Sequence, residues 1–307
     1  MKILITGGTG MVGSAFNDIQ TNHDLVLVGS KDYDLTSKRE ANRMLMHIRP
    51  DAIVHLAARV GGVKGNSDYV ADFFYDNIMI NTNILQACKD HKISKVLSLL
   101  STCIYPNNPM YPLTEDQIHD GEPHQSNFGY AYAKRMLDVQ SRAMRNQYDL
   151  KYITAVPNNI YGPKDNYHLD DSHVIPAMIR KLHEAKVKGA DVTLWGSGEP
   201  LREFTYSKDI AKALLFLLEN YTGKVPVNIG STREVSIEKV SELISKEIGF
   251  TGKIIWDTDK PEGQLKKPSS NEKFLDMCPN FCYTDLEDGI KETIRWFKSN
   301  YPNVRGL

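Results

Sequence analysis

Three residues of the chain have the types and the spacing to activate a carbonyl group. Tyr130 and Lys134 stand four residues apart in a helical pattern, so their side chains share one face of the helix. The charge of Lys134 is expected to favour the phenolate and lower the pKa of Tyr130, so that the phenol could exchange a proton near neutral pH. Ser101, further upstream, would give a second hydrogen bond to the same carbonyl oxygen. Taken alone, the Tyr-x-x-x-Lys spacing also fits an ordinary helix surface.

A glycine-rich turn near the start of the chain predicts a dinucleotide site. Gly7, Gly10 and Gly13 follow an apolar run and open a helical pattern that begins with Met11 and Val12. Glycine lets the backbone approach a pyrophosphate at the positive end of the helix. The alternative is a purely structural tight turn.

The end of the second apolar run favours NADP(H) over NAD. An acidic residue there would bond the ribose hydroxyls of NAD, but the sequence has Ser30 and Lys31, with Asp32 and Asp34 only later. Ser30 and Lys31 are therefore expected to hold a 2′-phosphate. A solvated surface lysine is the alternative for Lys31, and Asp34 is expected to bond backbone or adenine.

The remaining polar candidates each have a plain structural alternative. Residues 56–58 (Leu56, Ala57 and Ala58) are small enough to let a cofactor lie close, whereas His55 before them fits a hydrogen-bonded core histidine better than a catalytic one. Cys103, two residues after Ser101, is either a ligand-side thiol or a buried cysteine. His173 alone fits a capping or surface histidine.

An aromatic residue, a glycine turn and an arginine follow one another in residues 195–204. Trp195 could stack on a base or sugar, and Arg202 could grip a phosphate. Lys181 is a candidate phosphate contact or a solvated lysine. The same segment could equally form a hairpin closed by a salt bridge.

Composition excludes several classes of partner. The net charge is −1 and the pI is about 6.8, which does not favour nucleic acid or an anionic membrane as a partner. No apolar stretch approaches the ~20 residues of a membrane span. The four cysteines form neither a disulfide framework nor a metal site, so a cytoplasmic enzyme without a metal is expected.

Alternating apolar runs and helical patterns predict an α/β fold with a doubly wound parallel sheet. The predicted strands cover residues 2–6, 25–29, 52–57, 95–101, 152–156 and 225–230, and the predicted helices cover 11–20, 38–48, 72–89, 130–148 and 209–219. After residue 157 the regular alternation of strand and helix patterns is interrupted by loop-forming residues, which indicates a smaller, mixed α/β lobe. The expected domains are 1–157 with 203–231 for the cofactor, and 158–202 with 232–307 for the substrate.

These motifs together resemble the extended short-chain dehydrogenase/reductase family, and within it the epimerase-reductases that use NADPH and GDP-4-keto-6-deoxy-D-mannose. The similarity runs nearly end to end, and its specific part is the pairing of Cys103 with His173. The motifs that carry it are Ser101-Thr-Cys-Ile-Tyr-Pro106, Tyr130-Ala-Tyr-Ala-Lys134-Arg135, Asn159-Ile-Tyr-Gly-Pro163, Ser172-His-Val-Ile-Pro176, Trp195-Gly-Ser-Gly198 and Arg202-Glu-Phe204.

The resemblance assigns roles to these positions. It implies that Ser101, Tyr130 and Lys134 activate the carbonyl, and that Cys103 and His173 form the acid/base pair of an epimerisation. On the cofactor side it implies Pro157, Asn159, Ile160 and His173, besides the glycine turn, Tyr130 and Lys134. On the nucleotide-sugar side it implies Lys181, Trp195, Arg202 and Glu262, the last at a position where the family commonly has aspartate. A homodimer through helices 72–89 and 130–148 is also implied.

Three other functions remain open from the sequence. A C4 reductase of another GDP-4-keto sugar, such as a 6-deoxy-heptose, would use the same residues. A sugar dehydratase is disfavoured, because Thr102-Cys103 stands where such enzymes usually have Asp-Glu. A non-catalytic NADP-sensing protein is disfavoured by the retention of Ser101, Tyr130 and Lys134 together.

Overall fold

A central parallel sheet organises the first half of the chain. The computed structural model describes residues 1–260 and 264–307, with residues 63 and 64 by their backbone only. The elements of this half are β1 (Lys2–Thr6), α1 (Met11–Ala15), β2 (Asp24–Val28), α2 (Lys38–Ile48), β3 (Ala52–His55), α3 (Val63–Asp68), α4 (Val70–Asp90), β4 (Lys95–Leu99), α5 (Phe128–Tyr148) and β5 (Lys151–Val156).

The second half alternates between this sheet and smaller ones. Its elements are β6 (Asn159–Tyr161), α6 (Val174–Lys188), β7 (Val192–Trp195), β8 (Leu201–Tyr206), α7 (Ser207–Asn220), β9 (Val227–Asn228), β10 (Glu234–Ser236), α8 (Ile237–Ile248), β11 (Ile254–Asp257), α9 (Glu272–Met277) and α10 (Leu286–Asn300).

The six-stranded sheet has the order β2-β1-β3-β4-β5-β9, and every neighbouring pair in it is parallel. Successive residues of its strands face opposite sides. Ile3 and Val54 pack with α1 and α7 on one side, whereas Leu4 and Ile53 pack with α2 and α4 on the other. The predicted doubly wound parallel α/β fold is therefore confirmed.

A third hydrophobic cluster lies outside the large sheet. It joins α6, α8 and α10 to the sheets β10-β8-β6 and β11-β7. Ser236 begins α8 by accepting a 3.0 Å hydrogen bond from the Lys239 amide, and Gly249 ends that helix with φ of +74°. The proposed boundary at residue 203 falls within β8, and the domain division stays a prediction.

Residues 195–204 do not form the hairpin that the sequence left open. Trp195 ends β7, which pairs in parallel with β11, whereas Arg202 lies on β8, which pairs with β6 and β10. The hairpin alternative is therefore wrong. The two ends of this segment therefore belong to different sheets.

Candidate functional site

The glycine turn brings three backbone segments closer together than side chains would allow. Gly7 has φ of +70°, and a Cβ there would lie 2.8 Å from the Ala57 nitrogen. A Cβ on Gly13 would lie 2.3 Å from the Gly7 oxygen. The turn leads directly into α1, whose first amides have no side-chain cap. This cradle fits a pyrophosphate held by backbone N–H groups.

A cavity of about 820 Å³ runs from this turn along the carboxyl ends of the strands. Its size and position are those expected of a dinucleotide site in a doubly wound sheet. The predicted cofactor-side residues all line it: Gly7, Gly10, Met11, Val12, Gly13, Ser30, Lys31, Leu56, Ala57, Ala58, Tyr130, Lys134, Pro157, Asn159, Ile160 and His173.

The loop after β2 leaves its lysine facing the cavity, while its two exposed aspartates make local hydrogen bonds. Asp32 accepts a 2.8 Å hydrogen bond from the Gly29 amide, and Asp34 accepts from the Thr36 amide and hydroxyl at 3.0 and 2.7 Å. Asp34 therefore bonds the backbone, which was one of the two expectations from the sequence. The exposed Lys31 lines the cavity, where its charge suits a phosphate better than a bare ribose hydroxyl.

The carbonyl-activating candidates meet where β4 ends against α5. Lys134 donates a 2.8 Å hydrogen bond from Nζ to the Leu99 carbonyl oxygen. Its Nζ lies 5.8 Å from the centre of the Tyr130 ring. Ser101, two residues after β4, lines the same cavity as both of them. The three side chains thus share one wall of the site.

Burial dominates the electrostatics of this wall. It lowers the pKa of Lys134 to about 8 and raises the pKa of Tyr130 well above its ordinary value. The expectation that Lys134 would lower the pKa of Tyr130 is wrong, because burial raises that pKa and the nearby Cys103 acts in the same direction. The phenol is consequently protonated at neutral pH and able to donate.

Cys103 lies in the short 3-10 turn that follows Ser101. Its amide donates a 3.4 Å hydrogen bond to the Ser101 hydroxyl oxygen. Burial raises the pKa of the thiol, while the Ser101 bond and the charges of Lys267 and Lys134 act against that rise. Burial therefore favours the neutral thiol, whereas the two nearby lysines favour the thiolate.

His173 occupies the position before α6 and faces the cavity. It makes no side-chain cap of the helix, so the capping alternative is not observed. Desolvation by the surrounding protein lowers its pKa, and the charge of Asp171 acts in the opposite direction. Asp171 also accepts a 2.9 Å bond from the Gly62 amide, which ties the loop before His173 to the loop after β3.

His55 is a core residue, as the sequence indicated. It is buried, and its ring nitrogens bond the Thr6 hydroxyl at 2.8 Å and the Asn81 side chain at 3.2 Å.

The substrate-side candidates form a separate group. Lys181 places Nζ 5.4 Å from the centre of the Trp195 ring, and Lys260 places its Nζ 6.0 Å from the same centre. Trp195 is 46% exposed, so its indole ring is available for stacking. Burial lowers the pKa of Lys267, and the charge of the nearby Arg202 acts in the same direction. Glu262 falls outside the described residues.

Two cations were missed by the sequence reasoning. Arg59 lines the cavity and pairs with Asp76 at 2.7 Å. Lys267 donates to the Thr102 carbonyl oxygen at 2.9 Å. Neither belongs to a periodic pattern that would have marked it as a site residue. Among residues 1–260 and 264–307, no cluster of three or more His, Cys, Asp or Glu side chains could hold a metal ion.

Comparisons with known proteins show which family the chain is similar to. The sequence profile of the NAD dependent epimerase/dehydratase family matches residues 3–230. A Dictyostelium discoideum protein named GDP-L-fucose synthase is 44% identical over 310 residues, which cover 99% of this chain and 97% of that protein.

Two solved structures are also similar. A GDP-L-fucose synthetase from Naegleria fowleri bound to NADP has a TM-score of 0.93 at 40% identity, covering 99% of this chain and 95% of that one. A GDP-6-OMe-4-keto-L-xylo-heptose reductase from C. jejuni has a TM-score of 0.88 at 25% identity, covering 97% and 98%. The chain therefore belongs to the NAD dependent epimerase/dehydratase family, with proteins named GDP-L-fucose synthase among its relatives.

Proposed function

We propose that this chain is an NADP-dependent epimerase-reductase that converts GDP-4-keto-6-deoxy-D-mannose to GDP-L-fucose. The observation that carries the proposal is the convergence of Ser101, Tyr130, Lys134 and His173 on one cavity of dinucleotide size, with Cys103 in the turn beside Ser101. The near-full-length similarity to proteins named GDP-L-fucose synthase supports the substrate.

The first part of the reaction is an epimerisation at C3 and C5 of the sugar. A ketone at C4 acidifies the hydrogens on both neighbouring carbons. The Tyr130 and Ser101 hydroxyls donate hydrogen bonds to the ketone oxygen and stabilise each enolate. Cys103, as thiolate, takes the proton from one face of the ring, and His173 returns a proton to the other face.

The second part is reduction of C4. NADPH, when bound, supplies a hydride to this carbon. Tyr130 donates the proton that the new alkoxide needs, and its raised pKa keeps it protonated for that task. Lys134 holds its position through Leu99 and provides positive charge beside the phenol as the proton leaves.

Other residues bind the 2′-phosphate of the cofactor and the nucleotide part of the substrate. Ser30 and Lys31 hold the 2′-phosphate of the cofactor, which favours NADP(H). Trp195 stacks on the nucleotide-sugar, and Lys181 and Arg202 bind its diphosphate. Glu262 is proposed as a sugar contact from the family resemblance alone.

Reduction of another GDP-4-keto sugar is the second candidate function. The C. jejuni heptose reductase shares the fold over nearly the whole chain, but at 25% identity, against 44% for the Dictyostelium protein. The test is to mix the protein with NADPH and GDP-4-keto-6-deoxy-D-mannose and identify the product by NMR. GDP-L-fucose is expected. A 4-reduced sugar that keeps its C3 and C5 configuration would overturn the epimerase half of the proposal.

We also propose that the protein forms a homodimer and acts in the cytoplasm. Exposed apolar side chains on α4 and α5, including Phe74, Tyr75, Met136 and Val139, support an interface there. The four free cysteines suit a reducing compartment. In the part of the chain that the structure describes, no helix is long and apolar enough to cross a membrane.

A further inference from the structure

Lys267 reaches the turn that carries the proposed epimerisation base. Its Nζ donates a 2.9 Å hydrogen bond to the carbonyl oxygen of Thr102, the residue immediately before Cys103. The side chain is partly buried, whereas the neighbouring Lys266 is exposed. A partly buried ammonium beside this turn is screened much less by water and salt than a surface lysine would be.

The segment that carries Lys267 is held firmly in place. The Leu113 amide donates to the Pro268 oxygen at 2.9 Å, and the Ser270 amide donates back to the Leu113 oxygen at 2.9 Å. The buried Glu203 accepts from the Ser269 amide at 2.8 Å and from its hydroxyl at 2.6 Å. The backbone is therefore anchored from residue 268 onward, and Lys267 stands directly before this anchored segment.

The other cations around Cys103 are hydrogen-bonded to backbone oxygens elsewhere. Ser101 comes from the end of β4, and α5 contributes Tyr130, Lys134 and Arg135. Lys134 is engaged with the Leu99 oxygen, and Arg135 donates to the Ile104 and Gly121 oxygens at 2.6 Å each. Among the residues that the structure describes, Lys267 brings a cation to the turn from outside this helix; burial lowers the pKa of Lys267, and the charge of Arg202 acts in the same direction.

We propose that Lys267 is a positioning residue that holds the Cys103 turn and favours the thiolate form of Cys103. This inference deepens the proposed function, because it explains how the base of the epimerisation becomes charged. The thiol releases its proton to water, and the thiolate then takes the proton from the sugar carbon while the C–H electron pair moves toward the ketone oxygen. The charge of Lys267 opposes the burial that keeps the thiol neutral.

The test measures the ionisation of Cys103 directly and needs no sugar substrate. The full chain with NADP⁺ is treated with iodoacetamide across a pH series, and modification of the Cys103 peptide is followed by mass spectrometry. Lys267→Gln keeps a donor for the Thr102 oxygen but removes the charge. Lys267→Arg keeps both, and Lys266→Met is the matched control for loss of a neighbouring lysine.

Lys267→Gln is expected to raise the pH midpoint of Cys103 alkylation by about one unit, which corresponds to a roughly tenfold slower reaction below the midpoint. The Arg variant and Lys266→Met are expected to keep the wild-type midpoint. An unchanged midpoint in Lys267→Gln, with NADP⁺ binding intact, would overturn the inference. If the Gln variant does not bind NADP⁺, Lys267→Met in the same assay decides by the same criterion. Because no turnover is required, failure here is distinct from failure to make GDP-L-fucose.

Discussion

Lys134 is tied to the end of β4 by a 2.8 Å hydrogen bond from its ammonium to the Leu99 carbonyl oxygen. This bond fixes the face of α5 that carries Tyr130 against the strand end two residues before Ser101. The lysine charge is therefore held by the backbone rather than by a carboxylate partner. An ammonium held this way keeps its field available to the phenol while a proton is transferred.

The first prediction concerns the phenol of Tyr130. Tyr130→Phe should lower the rate of NADPH oxidation with the keto sugar by about a hundredfold to ten-thousandfold, because the general acid is lost. NADPH affinity, measured by fluorescence titration, should be unchanged. Tyr132→Phe on the same helix is the matched control and should keep its activity. NADPH oxidation at the wild-type rate by the Tyr130→Phe variant would show that Tyr130 is not the proton donor.

Cys103 is predicted to be needed for proton exchange. Cys103→Ser should slow deuterium incorporation from solvent at C3 and C5 by at least about a hundredfold, as followed by NMR or mass spectrometry. Cys278→Ser, which changes another partly buried thiol, serves as control. Exchange at the wild-type rate in the Cys103 variant would rule out this thiol as the base.

Cofactor choice should depend on Lys31. Lys31→Ala is expected to raise KM for NADPH about tenfold, equivalent to roughly 1.4 kcal/mol of lost phosphate contact, and to leave KM for NADH unchanged. Lys92→Ala removes another exposed lysine and should change neither. If both cofactors weaken equally in the Lys31 variant, the 2′-phosphate assignment fails.

The apolar stripe on α5 should govern the oligomeric state. Val139 is 40% exposed, and a glutamate there would have to be desolvated in a helix-to-helix interface. Val139→Glu should therefore convert a dimer to a monomer in light scattering coupled to size-exclusion chromatography. Met46→Glu, on α2, is the control. A monomeric wild-type protein at micromolar concentration would contradict the proposed dimer.

His55 gives a prediction about stability and pH. Burial, together with the charge of Lys134, lowers its pKa to about 3. The imidazole of the unfolded chain takes up a proton near pH ~6.5, whereas the folded protein resists protonation down to about pH 3. The stability that neutral His55 contributes is therefore present above pH ~6.5 and is lost as the pH falls toward 3.

The matching variant isolates this contribution. His55→Gln removes the titrating group, so it should be less stable than wild type at pH ~7, and the difference should shrink on acidification. Urea unfolding at several pH values measures it. His91→Gln, at the end of α4, controls for loss of an imidazole. A difference that stays constant with pH would contradict the prediction.

The large sheet could be predicted from the sequence because its strands are buried on both faces. Runs of Val, Ile and Leu that alternate with helices predict a parallel sheet with helices on both faces, because that arrangement covers every apolar face. The bounds of β1 and α2 agree with the predicted ranges. The helix predicted for residues 11–20 was too long, since α1 ends at Ala15 and a 3-10 turn follows over Phe16–Asp18.

The small sheets could not be predicted in the same way. Strands of three or four residues, such as β6 and β10, carry too few side chains to show a period. Which strand Arg202 joins depends on long-range pairing with Glu234–Ser236. The shift of the Tyr130 pKa was likewise beyond the sequence, because it depends on how much water the folded site excludes rather than on the distance to Lys134 along the helix.

The pairing of β9 with β5 has a practical consequence for dissecting the molecule. Val227 and Asn228 close the border of the large sheet beside Ala155 and Val156. A fragment that stops at residue 157 would expose the backbone N–H and C=O groups of β5 along an uncovered margin, and such margins recruit other chains. A fragment of residues 1–157 is thus expected to precipitate when expressed alone, and to be rescued by supplying the remaining polypeptide in trans.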